Sequence, residues 1–375
     1  MSDTSKLTIE RIDVFQVDLP YSGGTYQLSG GRTYTSFDAT IVRITTNTGL
    51  QGWGESTPFG STWVAAHARG ARAGIEEIAP KLIGLDPRRV DRINEAMDQA
   101  LSGHLHAKAA IDVACWDVFG KSVGLPVCEL LGGRTEVDLP LISSIYVGSP
   151  GDMRRRVAEH RASGYIGHSI KLSGDDPTTD AARIAESLAD RQAGEYFIVD
   201  ANGGLTVEFA MRMLRLLPRG LDFVLEAPCL TWRECVSLRR RTDIPIIFDE
   251  LAMDEISVTQ LIANDAGEGI GMKISKTGGL TRCRRQRDLC LAAGLTMSVQ
   301  ETTGSDIAFA AIVHMAQTVP ERSLRCILEC RDMIAVTTAT GDFKVNEGKV
   351  KAPKAPGLGI TPDLKVLGEP VATYT

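Results

Sequence analysis

Three things are scarce in this sequence, and each scarcity excludes something. No uncharged apolar run approaches the ~18 residues that a membrane-crossing helix needs, so no membrane partner is expected. No Cys-x-x-Cys pair occurs: the eight cysteines, at 115, 128, 229, 235, 283, 290, 326 and 330, are scattered. That pattern offers neither a zinc site nor a disulfide framework and reads as buried or half-buried thiols. Positive charge is not in excess: 41 Lys and Arg face 47 Asp and Glu, for a net charge of -6. Nucleic acid and anionic membrane are therefore not expected partners. Arg154, Arg155 and Arg156, and the Arg284 and Arg285 pair, fall within helix-like patterns and read as solvated faces. Residues 1–15 carry no apolar core of signal-peptide length and no small-residue cleavage pattern, so a cytoplasmic location is expected.

The chain has 375 residues, 43% of them hydrophobic, which suits a barrel of roughly 250 residues plus a smaller domain. Residues 7–20 and 39–46 alternate or run β-branched, with a turn at Asn47, Thr48 and Gly49. Between them, Ser22, Gly23, Gly24, Ser29, Gly30 and Gly31 make 21–31 too permissive for a strand. It is expected to be a surface loop or a lid. Residues 65–120 read as helices broken at 84–87. From about Val137 short apolar strands alternate with amphipathic helices. The strands fall at 139–145, 167–172, 196–200, 223–226, 244–249, 271–275, 296–300 and 326–329. Helix-like stretches at 177–191, 206–217, 232–241, 254–264 and 281–293 separate them. Eight strands with intervening helices imply an α/β fold, a (β/α) barrel. The expected divisions are an α+β amino-terminal domain at 1–136, the barrel at 137–332, and a segment at 333–375 that returns to the first domain.

Active sites of such barrels lie at the carboxyl ends of the strands. The third strand ends at Asp200, followed by Asn202; the fourth ends at Glu226; the fifth ends at Asp249 and Glu250. One such carboxylate reads as a helix cap. Three on successive strands would repel one another, and a divalent cation between them resolves this. All-oxygen ligation favours magnesium, with manganese as the substitute, over zinc. On the second strand the pleat puts Ser169 and Lys171 on the inner face and turns His168 toward the helices, a structural position. On the sixth it groups Lys273 with Ser275 and leaves Lys276 out of phase. A lysine in mid-barrel is costly to bury. It is either salt-bridged to the carboxylates or a general base whose pKa must fall from ~10.4 toward neutrality. The second and sixth strands face each other across the mouth. A substrate carboxylate held by the metal would show one face of its α-carbon to Lys171 and the other to Lys273.

With these residues in view, the chain resembles the enolase superfamily, in its muconate-cycloisomerase-like branch with two barrel lysines. The residues Gly52, Trp53, Gly54 and Glu55 resemble that family's capping-domain turn, and 110–117 followed by 130–133 its lead-in helix. Residues 273–279 resemble its sixth-strand lysine motif, and 356–359 its tail. The resemblance implies a modified (β/α)7β barrel with an α+β capping domain, and a homo-oligomer. It implies that Asp200, Glu226 and Asp249, rather than Glu250, hold the metal, and that Lys171 and Lys273 are the acid–base pair. The branch usually has Lys-x-Lys on the second strand; here Ser169 replaces the first lysine. No histidine among 67, 104, 106, 160, 168 and 314 ends a late strand, as the mandelate-racemase branch would require.

Residues 300–307 resemble relatives that act on proline-type amino acids. Where relatives acting on N-methylated prolines commonly carry an aromatic residue, this chain has Thr303, which does not suit a quaternary ammonium. The expected substrate is therefore a small carboxylate, an unmethylated imino acid. The expected reaction is dehydration of cis-3-hydroxy-L-proline to 1-pyrroline-2-carboxylate. Tyr26 and Phe59 would close the site over the ring with Thr303 below; Ser169, Asn202 and Glu301 are further substrate-contact candidates. Epimerisation of a proline-type amino acid or betaine uses the same two lysines, and a barrel that binds metal without catalysis would dispense with them.

Overall fold

The computed structural model describes residues 7–375; the first six residues of the amino-terminal stretch lie outside that range. The amino-terminal sheet is built on Ile9–Pro20, which pairs antiparallel with Ser36–Thr46 over nearly its whole length. Gln51–Ser56 follows as the next strand, after a turn in which Gly49 takes φ +80. The motif at 52–55 is thus strand rather than turn. Its glycines serve close packing: a Cβ at Gly52 would lie 2.3 Å from the Ala114 carbonyl oxygen, and one at Gly54 2.1 Å from that of Ala110. Both carbonyls belong to the helix Leu105–Val123, which is buried along most of its length. Small residues on one sheet face let this apolar helix lie directly on the backbone.

The eight barrel strands are Leu139–Ile145, Gly167–Lys171, Tyr196–Asp200, Val224–Glu226, Ile246–Phe248, Gly269–Lys273, Thr296–Gln300 and Leu324–Leu328. They are parallel, and the eighth pairs with the first, closing the barrel. Helix starts follow their cap chemistry: Asp176 and Thr206 each accept an N–H of the first turn, and Thr231 with Glu234 forms a reciprocal capping box. The sixth strand ends two residues earlier than expected. Ile274–Thr277 is a helical turn closed by Gly278 at φ +99, so Ser275 and Lys276 do not follow the strand's alternation.

The segment expected as a surface loop or a lid contains a small hairpin, Tyr26–Leu28 paired with Arg32–Tyr34, its glycines confined to the turn. Apolar burial of Tyr26 and Leu28 overrides the permissive residues around them. The carboxy-terminal segment does return to the first sheet, where Ala372–Tyr374 pairs with Ile9–Pro20. On the way Lys349–Val350 also pairs with the first barrel strand. Sheet and barrel are joined by buried polar contacts. Glu55 accepts from the Ser305 and Ala308 backbone N–H groups and from the Ser305 hydroxyl, at the start of the helix Asp306–Ala316. Asp112 likewise accepts from the Thr281 N–H and hydroxyl. All eight cysteines are buried and unpaired. No helix among the described residues is long and apolar enough to cross a membrane.

Candidate active site

Asp200, Glu226 and Asp249 end or follow the third, fourth and fifth barrel strands, and all three are buried. The lysines reach across to them. Lys171 is ion-paired with Asp200, and Lys273 with Asp249 at 2.5 Å. The salt-bridged placement and the one expected of a general base are therefore the same. Lys276, out of phase on a continued strand, is brought back by the helical turn and bonds the Asp249 carboxylate at 2.7 Å and the Gly271 carbonyl at 3.1 Å. Ser275 turns away and donates through N–H and Oγ to Glu301.

The electrostatics follow from these contacts. Burial, reinforced by Asp200 and Asp249, pushes Glu226 up to about 8. Burial would raise Asp249 too, but Lys273 and Lys276 hold it down at about 2. For both barrel lysines burial works against the ammonium, yet the carboxylates win and hold each above its ordinary range: Asp200 chiefly for Lys171, Asp249 for Lys273. The expected fall toward neutrality is thus not a property of the protein chain alone. Its condition is that the carboxylate charge be taken up by something else.

The donor set fits a hard divalent cation. Three buried carboxylates stand at the ends of adjacent strands, and the next strand carries Gly271 beside two of them, Glu226 and Asp249. A Cβ there would come within 2.7 Å of Glu226 Oε1 and 3.3 Å of the Asp249 Cβ, so glycine keeps the space open. With the lysines folded onto the acids, no three His, Cys, Asp or Glu side chains among the described residues are clustered as a metal site. Glu250 lies beside the set: its Oε1 accepts from the Trp63 indole at 2.7 Å and from Asn202 at 3.2 Å, while its buried Oε2 has no partner. Burial, then Asp249 and Asp200, raise Glu250 to about 7.

A narrow cavity of about 30 Å³ lies between the lysines. Tyr26, Phe59, Ser169, Lys171, Glu226, Lys273 and Glu301 all line it. Two expectations are corrected. Thr303 is fully buried outside the lining, and Thr302 stands there instead, tied to the Thr57 carbonyl. Asn202 is also absent from the lining; held at φ +46, it donates to Asp200 and Glu250 and so braces the carboxylates. His168 faces the helices as expected, bonded to Ser143 and Glu195. Sequence reasoning missed Trp63 and Gln300. Gln300 donates to Glu226 at 3.3 Å and ends the seventh strand, a position the strand-end rule could have flagged. Trp63 belongs to an irregular segment with no periodic signal. It lines both the inner cavity and a second, more apolar one of about 450 Å³ bounded by residues 64–67, Gly70, Ala71, residues 104–107, Leu230 and Met253. Lys273 is the other residue common to the two.

Residues 152–366 match the family model described as enolase C-terminal domain-like, and residues 18–132 that of the mandelate racemase/muconate lactonizing enzyme N-terminal domain. A cis-3-hydroxy-L-proline dehydratase of Roseibium aggregatum is 41% identical, the match covering 98% of this chain and all of that protein. A crystal structure described as a putative mandelate racemase/muconate lactonizing enzyme from Aspergillus oryzae is 71% identical, with a TM-score of 0.94 and coverage of 98% and 100% of the two chains. A second, from Roseovarius nubinhibens and complexed with magnesium, is 52% identical with a TM-score of 0.96 over the same shares.

Proposed function

Because the chain belongs to the enolase superfamily, we propose that its barrel site abstracts the α-proton of a carboxylate and dehydrates cis-3-hydroxy-L-proline to 1-pyrroline-2-carboxylate. The observation that carries this reading is that Lys171 and Lys273, from opposed strands of the closed barrel, line one buried cavity with Glu226. The full-length likeness to a cis-3-hydroxy-L-proline dehydratase supports the substrate.

Asp200, Glu226 and Asp249 would hold magnesium. Bound there, a divalent cation neutralises the carboxylates that grip the lysines and stabilises the negative charge that develops on the substrate carboxylate as the α-proton leaves. In the cis isomer the hydroxyl shares the carboxylate's face of the ring, so the α-hydrogen lies on the opposite face and loss of water is an anti elimination. Lys171, as free amine, takes the α-proton. The Cα–H electron pair is first delocalised into the substrate carboxylate; it then forms the Cα–Cβ double bond as the C–O bond breaks and Lys273 delivers a proton to the leaving hydroxyl. The cyclic enamine then tautomerises to the imine. Tyr26, fixed by a 2.7 Å hydrogen bond between its hydroxyl and Ser144, and Phe59, packed against its ring, keep bulk water off the cavity.

A second reading is epimerisation of a proline-type substrate. Thr303 no longer argues against a betaine, because it lies outside the cavity, whereas Tyr26, Phe59 and Trp63 line it. The deciding experiment follows cyclic imine and α-deuterium together in deuterium oxide. Imine from the cis isomer and none from the trans isomer supports dehydration. No imine, with rapid α-exchange of proline betaine, replaces it with epimerisation.

A further inference from the structure

Glu301 stands just past the seventh barrel strand and is buried against the inner cavity. Its Oε1 accepts from the Ser275 N–H at 2.8 Å and the Ser275 hydroxyl at 2.9 Å; its Oε2 has one backbone N–H, that of Thr302, at 3.2 Å. These bonds fix the carboxyl group and leave Oε2 with acceptor capacity. Asp200 and Asp249 each hold a lysine, but among the described residues no Lys, Arg or His forms an ion pair with Glu301. A buried carboxylate with no cation, on the wall of a substrate cavity, is costly unless the ligand brings the charge.

We infer that Glu301 anchors the ring ammonium of the substrate, which makes the site selective for carboxylates bearing a cationic α-nitrogen. The inference rests on the imino-acid reading above. A zwitterionic imino acid presents one negative and one positive group. Its carboxylate belongs with the metal, beside Asp200, Glu226 and Asp249. Its ammonium then needs a negative partner away from the two lysines; of the two carboxyl groups that line the cavity, Glu226 and Glu301, the first belongs with the metal and Glu301 is left. Holding the nitrogen positive beside Cα also makes the α-hydrogen more acidic, which helps the step assigned to Lys171.

Proton traffic follows from the same placement. Burial pushes the empty Glu301 up to about 8, with the Glu55 carboxylate of the amino-terminal sheet adding to the effect. The other titratable groups facing it are Cys283 on the helix Leu280–Ala293, Cys330 past the eighth strand, and Lys171, Lys273 and Glu226 around the cavity. At pH 7 the empty site therefore holds Glu301 mostly protonated. A docking ammonium ionises it, and the proton goes to solvent.

The test uses magnesium-loaded enzyme and two ligands of one shape, neither with a hydroxyl to lose: L-proline and (S)-tetrahydrofuran-2-carboxylate, whose ring oxygen replaces the ammonium. Titration calorimetry at pH 7 in two buffers of different ionisation enthalpy reads affinity and proton release together. Wild-type enzyme is expected to prefer proline by at least ~10-fold and to release most of one proton with it, but none with the oxygen ring. Glu301→Gln, which keeps an acceptor for Ser275, is expected to lose that preference and the proton release while holding the oxygen ring as before. Unchanged preference in Glu301→Gln, or proline binding to wild type without proton release, overturns the assignment. A wild-type enzyme that does not prefer proline at all overturns the imino-acid reading itself. The wild-type proton count stands even if the variant does not fold.

Discussion

The Lys273 ammonium lies over the Trp63 ring, 4.4 Å from its centroid, while the indole N–H of the same Trp63 donates to Glu250 at 2.7 Å. One aromatic side chain thus holds a proposed acid by its face, braces a carboxylate by its edge, and separates the inner cavity from the outer one. Trp63→Phe keeps the face and loses the N–H. Trp63→Ala loses both and joins the cavities. A desolvated cation–π contact is worth about 1–2 kcal/mol, so Trp63→Ala should lower turnover roughly 5- to 30-fold. It should also admit ring-substituted prolines that the wild type rejects, with Trp63→Phe intermediate in rate and unchanged in selectivity. Competition assays with 4-substituted prolines check this; wild-type selectivity in Trp63→Ala would remove the partition role.

The carboxylate set leads to a metal prediction with a readout apart from turnover. Asp200→Ala, Glu226→Ala and Asp249→Ala should each abolish magnesium binding measured by calorimetry, and EDTA should stop turnover of the wild type until magnesium is restored. Gly271→Ala adds the sharper check. Its Cβ would meet Glu226 Oε1 at 2.7 Å, so metal affinity should fall roughly 10-fold or more although no ligand has been touched. Wild-type magnesium affinity in Gly271→Ala would mean that the cation sits elsewhere.

Much of this arrangement was legible in the sequence because strand alternation and strand-end position are local rules. The eight barrel strands, the inward phase of Ser169 and Lys171, and the carboxylates at 200, 226 and 249 follow from periods of two and from where apolar runs stop. Reading failed where the chain leaves regular structure. Lys276 was misplaced because a helical turn ending at a positive-φ glycine interrupts the sixth strand, and alternation says nothing about a turn. Thr302 rather than Thr303 lines the cavity for the same reason, since both lie past the end of the seventh strand. The hairpin at Tyr26 was hidden because its stability comes from rings distant in sequence, Phe59 and Tyr146, rather than from its own propensity.

Asp13 ties the carboxy-terminal strand to the sheet and gives a prediction about acid. Its carboxylate accepts from Arg43, from Arg11 and from the Thr373 hydroxyl at 2.7 Å. Burial would raise its pKa, but these donors together hold it below the ordinary 3.8. A carboxyl group whose folded pKa is depressed stabilises the fold in full above its unfolded value, and that stability is lost as pH falls through the folded one. Below about pH 3.8, therefore, the strand Ala372–Tyr374 should loosen ahead of the barrel. Hydrogen-exchange protection factors at pH 5 and pH 3, which take out the pH dependence of the intrinsic rate, measure this. Asp13→Ala should cost roughly 2 kcal/mol, below the range for a fully buried pair because Arg11 is partly in solvent, and should abolish the pH dependence of protection in 372–374. Protection in 372–374 that is as high at pH 3 as at pH 5 would place the anchor elsewhere.

The two lysines should fail in different ways, and that difference is the strictest check on their roles. Lys171 faces the α-hydrogen of the L-substrate in the proposed pose, so Lys171→Ala should lose both α-exchange and imine formation by several orders of magnitude. Lys273 acts on the other face, where the hydroxyl leaves. Lys273→Ala should therefore still exchange the α-proton of cis-3-hydroxy-L-proline in deuterium oxide while forming imine at least ~1,000-fold more slowly. Removing Lys171 leaves the buried Asp200 without its ion-pair partner, at a cost of about 3–5 kcal/mol in the metal-free protein, whereas Asp249 keeps Lys276 when Lys273 is removed and the cost there is smaller. Magnesium should restore most of that stability, because it replaces the lost positive charge. Melting temperatures with and without magnesium thus separate a misfolded variant from an inactive one. Equal loss of exchange and imine in both variants, at wild-type stability with magnesium, would contradict a division of labour between the two faces.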